Sequence, residues 1–195
     1  MPSGENFDLS GVKLVVFDLD RTLWDHPNIS ATYPPYRRVS QDEIEDSGGA
    51  RIRLRPCARR LIEELKSRGF KLAVASWNNP EPALRALRAL GLLELFDVIV
   101  VEPHPYKELM LERIIAKTGV REEEILFIDD DPSIVRRVTE RYKRLRALKF
   151  GEDISDFCEL NDRVGEDLGV RRLPSGTREP SSPNYKELRE PCKPI

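Results

Sequence analysis

The chain has 195 residues, 39% of them hydrophobic and 34% charged, with a net charge of −2. That length suits one domain with a small insertion or tail. The near-balance of charge argues against a dedicated nucleic-acid binder, and no apolar run approaches the roughly 18 residues of a membrane span. The polar start, MPSGENFDLSG, has no signal-peptide core. A cytoplasmic location is therefore expected. Richness in Arg and Glu, with Gln41 the single glutamine, leans towards a thermophile. Cys57, Cys158 and Cys192 are odd in number and lack metal-ligand spacing, so they read as thiols in a reducing compartment.

In chain order, Lys13–Phe17 reads as a buried strand. Residues 24–53 then interrupt the pattern with a polar insertion holding Pro34-Pro35 and an Asp46-Ser47-Gly48-Gly49 turn signal. Within it, 36–40 and 51–54 are expected to pair as a hairpin. Helix 56–68 opens near Pro56, shares Ala58, Leu61, Ile62 and Leu65 on one face, and stops at Gly69. Strand 71–76 follows, then helix 81–90, strand 96–101, helix 107–118, strand 125–128, helix 132–142 and strand 145–148. Residues 154–168 suit a terminal helix. Residues 173–195, with Pro174, Pro180, Pro183, Pro191 and Pro194, read as an extended or disordered tail beyond a domain of 1–172.

Continuous apolar strands alternating with amphipathic helices imply an α/β fold, its mainly parallel sheet covered on both faces. Active sites of such sheets lie at the carboxyl ends of the strands. There the chain places Asp18, Asp20 and Thr22 after the first strand and Ser76, Trp77, Asn78 and Asn79 after the second. Lys107 follows the third, and Asp129, Asp130 and Asp131 follow the fourth. The set suits phosphoryl transfer. Asp18 is placed as nucleophile and Asp20 as general acid and then base. A Mg²⁺ ion offsets the meeting of two anions, held by Asp18, the backbone carbonyl of Asp20, Asp130 as the first-choice side-chain ligand and Asp129 as the second. Thr22, Ser76, Trp77, Asn78 and Lys107 are assigned to the substrate phosphate, with Thr22 also expected to set the turn that aims the two aspartates. Asn78 and Asn79 serve equally well as turn formers. Asp131 reads as the cap of the helix beginning at Pro132.

The Asp18-Leu19-Asp20-Arg21-Thr22 run resembles motif I, DxDxT, of the haloacid dehalogenase (HAD) superfamily. Ser76, Lys107 and Asp129-Asp130 resemble its motifs II, III and IV, in order over about residues 12–150. The resemblance implies a Rossmann-like doubly wound core. Closer still, DLDRTLW, LRPCARRLIEEL, AVASWNNPEPA and the KTGV…ILFIDDD run resemble the magnesium-dependent phosphatase-1 family. That likeness implies a capless HAD phosphatase with a short flap, acting on phosphotyrosyl protein or phosphorylated sugar adducts. The chain departs from that family at Trp77-Asn78, where an Arg is common, and after Gly151.

The insertion is too short for a helical cap, so a hairpin flap leaves the mouth open to a larger substrate or to closure by a partner subunit in a homodimer. Tyr33, Tyr36, Arg37 and Arg38 are its candidate substrate contacts. Trp24 reads as core packing, and His26 and His104 as isolated loop residues. The basic run from Arg136 to Lys149 reads as a solvated face. Two rival readings fit the residues less well. A receiver domain has its acidic pair first and its phosphoacceptor after the third strand, which ends here in Val101-Glu102-Pro103. A non-catalytic binding protein on a HAD core would lack Asp18, Asp20 or Lys107, and all are present. Dehalogenases lack the second motif I aspartate.

Overall fold

The protein is described by a computed structural model over residues 9–166. The Pro-rich tail expected at 173–195 lies outside the described residues. Strand β1 (Leu14–Phe17) is followed by three short strands of the insertion: β2 (Arg37–Arg38), β3 (Glu43–Glu45) and β4 (Arg51–Arg53). Then come α1 (Ala58–Ser67), β5 (Lys71–Trp77), α2 (Pro80–Ala89), β6 (Val98–Glu102), α3 (Lys107–Thr118), β7 (Ile125–Asp129), α4 (Pro132–Arg141), β8 (Arg146–Lys149) and α5 (Phe157–Glu166). Among the described residues, no helix is long and apolar enough to cross a membrane.

The main sheet is parallel throughout, in the order β6-β5-β1-β7-β8. After β6 the chain crosses back past β1 to begin β7. Strand order therefore reverses at β1, and a crevice is left at the carboxyl ends of β1, β5 and β7. Every side chain of β1 is buried. Because successive residues face opposite sides, Val15 and Phe17 join one core with Leu61, Ile62, Leu87, Phe157 and Leu160. Leu14 and Val16 join the other with Met110, Leu111, Ile114, Ile134 and Val138. The doubly wound arrangement read from the sequence is thus the one observed.

The insertion differs from expectation. Residues 36–40 do not pair with 51–54. β3 lies between β2 and β4, antiparallel to both, so the flap is a three-stranded meander. Glu43-Ile44-Glu45 carries a single apolar residue, too faint a pattern to read as a strand. It is stabilised by the cross-strand pair Ile44–Ile52, both fully buried, and by a charge ladder on the outer face. Arg37 pairs with Glu45 at 2.7 Å, Arg51 with Glu45 at 2.5 Å and Arg53 with Glu43 at 3.3 Å. The meander is fastened to the helices beside it. Arg38 Nε donates to the carbonyl of Ala89 at 3.0 Å, and Arg59 on α1 reaches Asp42 at 2.7 Å and the carbonyl of Gln41 at 2.6 Å.

Two cysteines expected to be reduced thiols are instead joined. Cys57, at the start of α1, forms a disulfide with Cys158 on α5, across a sequence separation of 101. A cross-link closing so long a loop is worth about 4–5 kcal/mol in the chain-entropy limit. No spacing rule connects positions that far apart; only the packing of α5 on α1 brings them together. The basic run after Arg136 is spent locally, as expected. Arg141 faces Glu112 at 3.8 Å, Arg144 faces Glu123 at 3.7 Å, and Lys149 pairs with Glu152.

Candidate active site

The crevice at the strand ends is a cleft of about 440 Å³, lined among others by Asp18, Asp20, Trp77, Asn78, Lys107, Asp129 and Asp130. Sequence reading placed all seven at one rim, and the structure brings them into one cavity. Their positions follow from local folding. β1 ends at Phe17, and the amide of Asp18 still donates to the carbonyl of Ile128 at 2.9 Å, which carries Asp18 alongside the end of β7. Arg21 then adopts a left-handed backbone, φ 58°, and turns the chain away from the sheet. Its amide donates to the carbonyl of His26 at 3.1 Å, and its carbonyl accepts from the Arg55 guanidinium at 2.8 Å.

Lys107 opens α3 and is 1% exposed. Its ammonium donates to Asp18 Oδ1, to the carbonyl of Ala75 at 2.6 Å and to Asp129 Oδ2 at 3.0 Å. All three of its protons are used. Burial pulls its pKa down, but the charges of Asp18 and Asp129 outweigh that and hold it above the ordinary lysine value. Burial pushes Asp129 up, against the pull of the lysine and with the Asp18 charge adding to the rise. Burial and the charge of Asp18 likewise raise Asp130. Oxygens of Asp18, Asp129 and Asp130 lie within 4.8 Å of one another. Three hard carboxylate donors around a cleft are the set a small divalent cation takes. Asp129 is the more occupied of the last pair, since its other oxygen accepts from the amide of Asp131 at 2.9 Å. The Thr22 hydroxyl is the side-chain hydrogen-bond partner of Asp130, at 3.3 Å.

Thr22 is fully buried, and its oxygen also accepts from the amide of Asp130 at 3.1 Å. It ties the loop after β1 to the loop after β7, the turn-setting part of its expected role, and it is not among the residues lining the cleft. Ser76 is also fully buried, with its Oγ accepting from Asn78 Nδ2 at 2.9 Å. Trp77 stands at the mouth, about half exposed. Asp131 caps α4 as expected, accepting from the amides of Ser133 at 2.7 Å and Ile134 at 3.4 Å. The Ser133 hydroxyl, also on Asp131, holds that carboxyl below the usual range.

Asp20 lines the same cleft but is not one of the three clustered carboxylates. Its Oδ1 accepts from the indole Nε1 of Trp24 at 2.7 Å and from the amide of Ile29 at 3.1 Å; its Oδ2 accepts from Asn78 Nδ2 at 3.0 Å. Burial raises its pKa, while the hydrogen bonds from Trp24 and Asn78 work against that rise. Trp24 is fully buried, as core packing requires, yet it also carries a polar contact that sequence reading did not assign. Ile29 and Ser30 were missed altogether. They belong to a 3-10 turn, Ile29–Ala31, at the start of the insertion. Ser30 Oγ donates to Asn78 Oδ1 at 2.8 Å and accepts from the amide of Asn79 at 2.8 Å. A backbone amide leaves no mark in a sequence, and a lone serine in a polar loop leaves almost none. Tyr33, Tyr36, Arg37 and Arg38, the substrate contacts expected from the insertion, do not line the cleft. The first turn of the insertion reaches the site, while the meander leans on α1 and α2.

His104 has partners that its isolation in the sequence hid. Its Nε2 lies 2.8 Å from Glu102 Oε2 and its Nδ1 accepts from the amide of Tyr106 at 3.2 Å. With Arg137 on the carbonyl of Pro105 at 2.5 Å, it fixes the loop that delivers Lys107.

Residues 11–141 match the Acid Phosphatase family. The human protein named Magnesium-dependent phosphatase 1 is 33% identical over 124 residues, which cover 61% of this chain and 68% of that one. Pyrophosphatase PpaX of Halalkalibacterium halodurans is 34% identical over 77 residues, 34% of its length. Among solved structures, a HAD-superfamily hydrolase from Ehrlichia chaffeensis superposes with a TM-score of 0.58 at 17% identity, covering 84% of this chain and 100% of that one. The N-terminal part of a Bacteroides fragilis protein, containing a phosphatase domain complexed with Mg, gives 0.59 at 20% identity. It covers 78% of this chain, which spans only 40% of that one. These two structures share the fold.

Proposed function

Because the chain belongs to the acid phosphatase family and is a phosphatase of the HAD superfamily, we propose that it hydrolyses phosphomonoesters with Mg²⁺ through an aspartyl-phosphate on Asp18. The observation that carries this reading is the convergence of Asp18, Lys107, Asp129 and Asp130 in one cleft. An Asp18 oxygen forms a bond to phosphorus as the ester P–O bond breaks. Asp20 gives its proton to the departing oxygen. Asp20, now ionised, takes a proton from water, whose oxygen attacks phosphorus and releases Asp18 and inorganic phosphate. Lys107 holds Asp18 in line and neutralises charge, and Trp77 and Asn78, which line the cleft, serve the phosphate and its ester, with Ser76 buried behind Asn78. Asp18, Asp130, Asp129 and the backbone carbonyl of Asp20 would hold Mg²⁺, which supplies positive charge against the phosphoryl oxygens.

Support for the ion comes from the donor chemistry of the cluster and from the magnesium dependence for which the human relative is named. Phosphotyrosyl protein or phosphorylated sugar adducts are the proposed substrates, since among the described residues no large cap closes the mouth. A homodimer and a cytoplasmic location are proposed with them. A disulfide inside an intracellular enzyme fits a hyperthermophile host, which agrees with the thermophile-like composition. The rival reading, a phosphate-binding protein without turnover, has no specific observation in its favour.

The test is hydrolysis of p-nitrophenyl phosphate with Mg²⁺ and with a chelator. Turnover should require the metal and should fall at least ~10³-fold in Asp18→Asn. Near-wild-type turnover by that variant sinks the nucleophile assignment. A panel of phosphotyrosyl peptides and sugar phosphates then ranks the substrates.

A further inference from the structure

Asp20 is held at both oxygens by groups from three places in the chain. Trp24 Nε1 closes the motif loop on itself at 2.7 Å, and the Ile29 amide comes from the insertion, 3.1 Å from Oδ1 and 3.2 Å from Oδ2. Asn78 Nδ2 comes from the loop after β5 at 3.0 Å. The clamp is itself anchored. Trp24 is fully buried and Asn78 is 4% exposed. The Asn78 carbonyl oxygen accepts from Ser30, whose oxygen in turn accepts from the Asn79 amide. Donors on both oxygens fix the plane of a carboxylate, which a single contact cannot do, because a lone hydrogen bond leaves the group free to rotate about χ2. A proton donor must lie within about 2.6–3.2 Å of the oxygen it protonates, so a small rotation removes it from reach.

We propose that Trp24 and Asn78 are positioning residues for proton transfer by Asp20, and that the first turn of the insertion completes the clamp through Ile29 and Ser30. The proposal rests on the reading of Asp20 as the general acid. It gives the insertion a catalytic purpose separate from covering the mouth. The turn at Ile29–Ala31 reaches the acid, whereas the meander of β2, β3 and β4 does not line the cleft.

The step that depends on the clamp is protonation of the leaving oxygen. An alkyl alcohol needs that proton to depart; p-nitrophenol leaves as a stable anion and needs it far less. The experiment measures kcat/KM, which reports the steps through transfer to Asp18, for glycerol phosphate and for p-nitrophenyl phosphate at fixed Mg²⁺. Wild type, Trp24→Phe and Asn78→Ala are compared. Trp24→Phe keeps a buried aromatic ring and deletes the N–H. In each variant the alkyl ester should lose at least ~10-fold more than the aryl ester, a fraction of the 10²–10⁴ that general acid catalysis contributes. An equal loss on both esters, or no loss on either, overturns the proposal, since a purely structural role does not discriminate between leaving groups. If Trp24→Phe fails to fold, Asn78→Ala decides by the same ratio. Wild type inert on both esters, with and without Mg²⁺, refutes the phosphatase reading; wild type active with an unselective loss in the variants refutes only the clamp.

Discussion

The two ends of the main sheet handle buried carboxylates in opposite ways. At the amino ends of the strands, Glu124 is 6% exposed and meets two cations, Lys13 at 2.6 Å and Arg121 at 2.9 Å, plus the Arg121 amide at 3.0 Å. Those partners, the Arg121 hydrogen bond foremost, pull its pKa down to about 2. At the carboxyl ends, Asp18 and Asp129 share a single ammonium with Asp130 beside them, and Asp129 and Asp130 are pushed up by burial. One end is a finished ion pair. The other carries more negative charge than the chain itself neutralises, an arrangement that costs stability and is kept where chemistry needs it. A divalent cation bound there would redress the balance.

Four experiments could break this contrast or sharpen it beyond the loss of turnover expected for Asp18→Asn. The largest effect on stability should come from Lys107→Met, which leaves Asp18 and Asp129 buried without their cation. Removing one partner of a buried pair costs about 3–5 kcal/mol. Arg121→Met, at the exposed partner of the pair at the amino ends, should cost far less, because solvent screens that charge. Equal losses in denaturant melts would erase the distinction between the two ends. Next, Mg²⁺ at 100 times its Kd should stabilise the wild type by about 2.7 kcal/mol. Asp130→Asn should abolish most of that gain, and a full Mg²⁺ response in the variant would remove Asp130 from the ligand set.

The third effect is smaller and has a definite sign. A carboxyl whose pKa is raised on folding binds more protons folded than unfolded, so its contribution to stability falls as pH rises through that window. Metal-free Asp130→Asn should therefore be as stable as wild type or more so at neutral pH. That advantage should vanish below the unfolded value of 3.8. A variant clearly less stable than wild type at pH 7 in chelator would contradict the crowding of charge at this rim. The smallest effect is expected at the other end, with the opposite sign. The depressed pKa of Glu124 contributes stability that is fully present above its ordinary value of 4.5 and is lost as pH falls through about 2. Glu124→Gln should thus melt earlier than wild type at neutral pH and alike below about pH 2. A deficit that persists in strong acid would show that packing, not charge, holds that corner.

The two ends also differed in how far they could be read in advance. Strand β7 announced itself, because Ile-Leu-Phe-Ile is too apolar for a surface and stops abruptly at Asp129 and Asp130. The limits of α3 were read to the residue, since Leu111, Ile114 and Ile115 mark its face and Gly119, at φ 66°, takes the left-handed turn that ends it. β3 escaped notice because one isoleucine between two glutamates carries no period. Trp24 was read as core, which its burial bears out, and its indole N–H was overlooked because hydrophobicity scales score the ring.

What the sequence determined by itself is the order of strands and helices and the residue types that empty onto one rim, because side-chain periodicity is local and survives in one dimension. Tertiary structure decided the rest. It placed β7 beside β1, and so set Thr22 against Asp130 across 108 positions and gave Lys107 two aspartates to hold. It folded the insertion back until the Ile29 amide met Asp20, and it packed α5 on α1 until Cys57 met Cys158. Those partnerships depend on which elements become neighbours, and that follows from burying both faces of the sheet at once, a requirement no single stretch of the chain records.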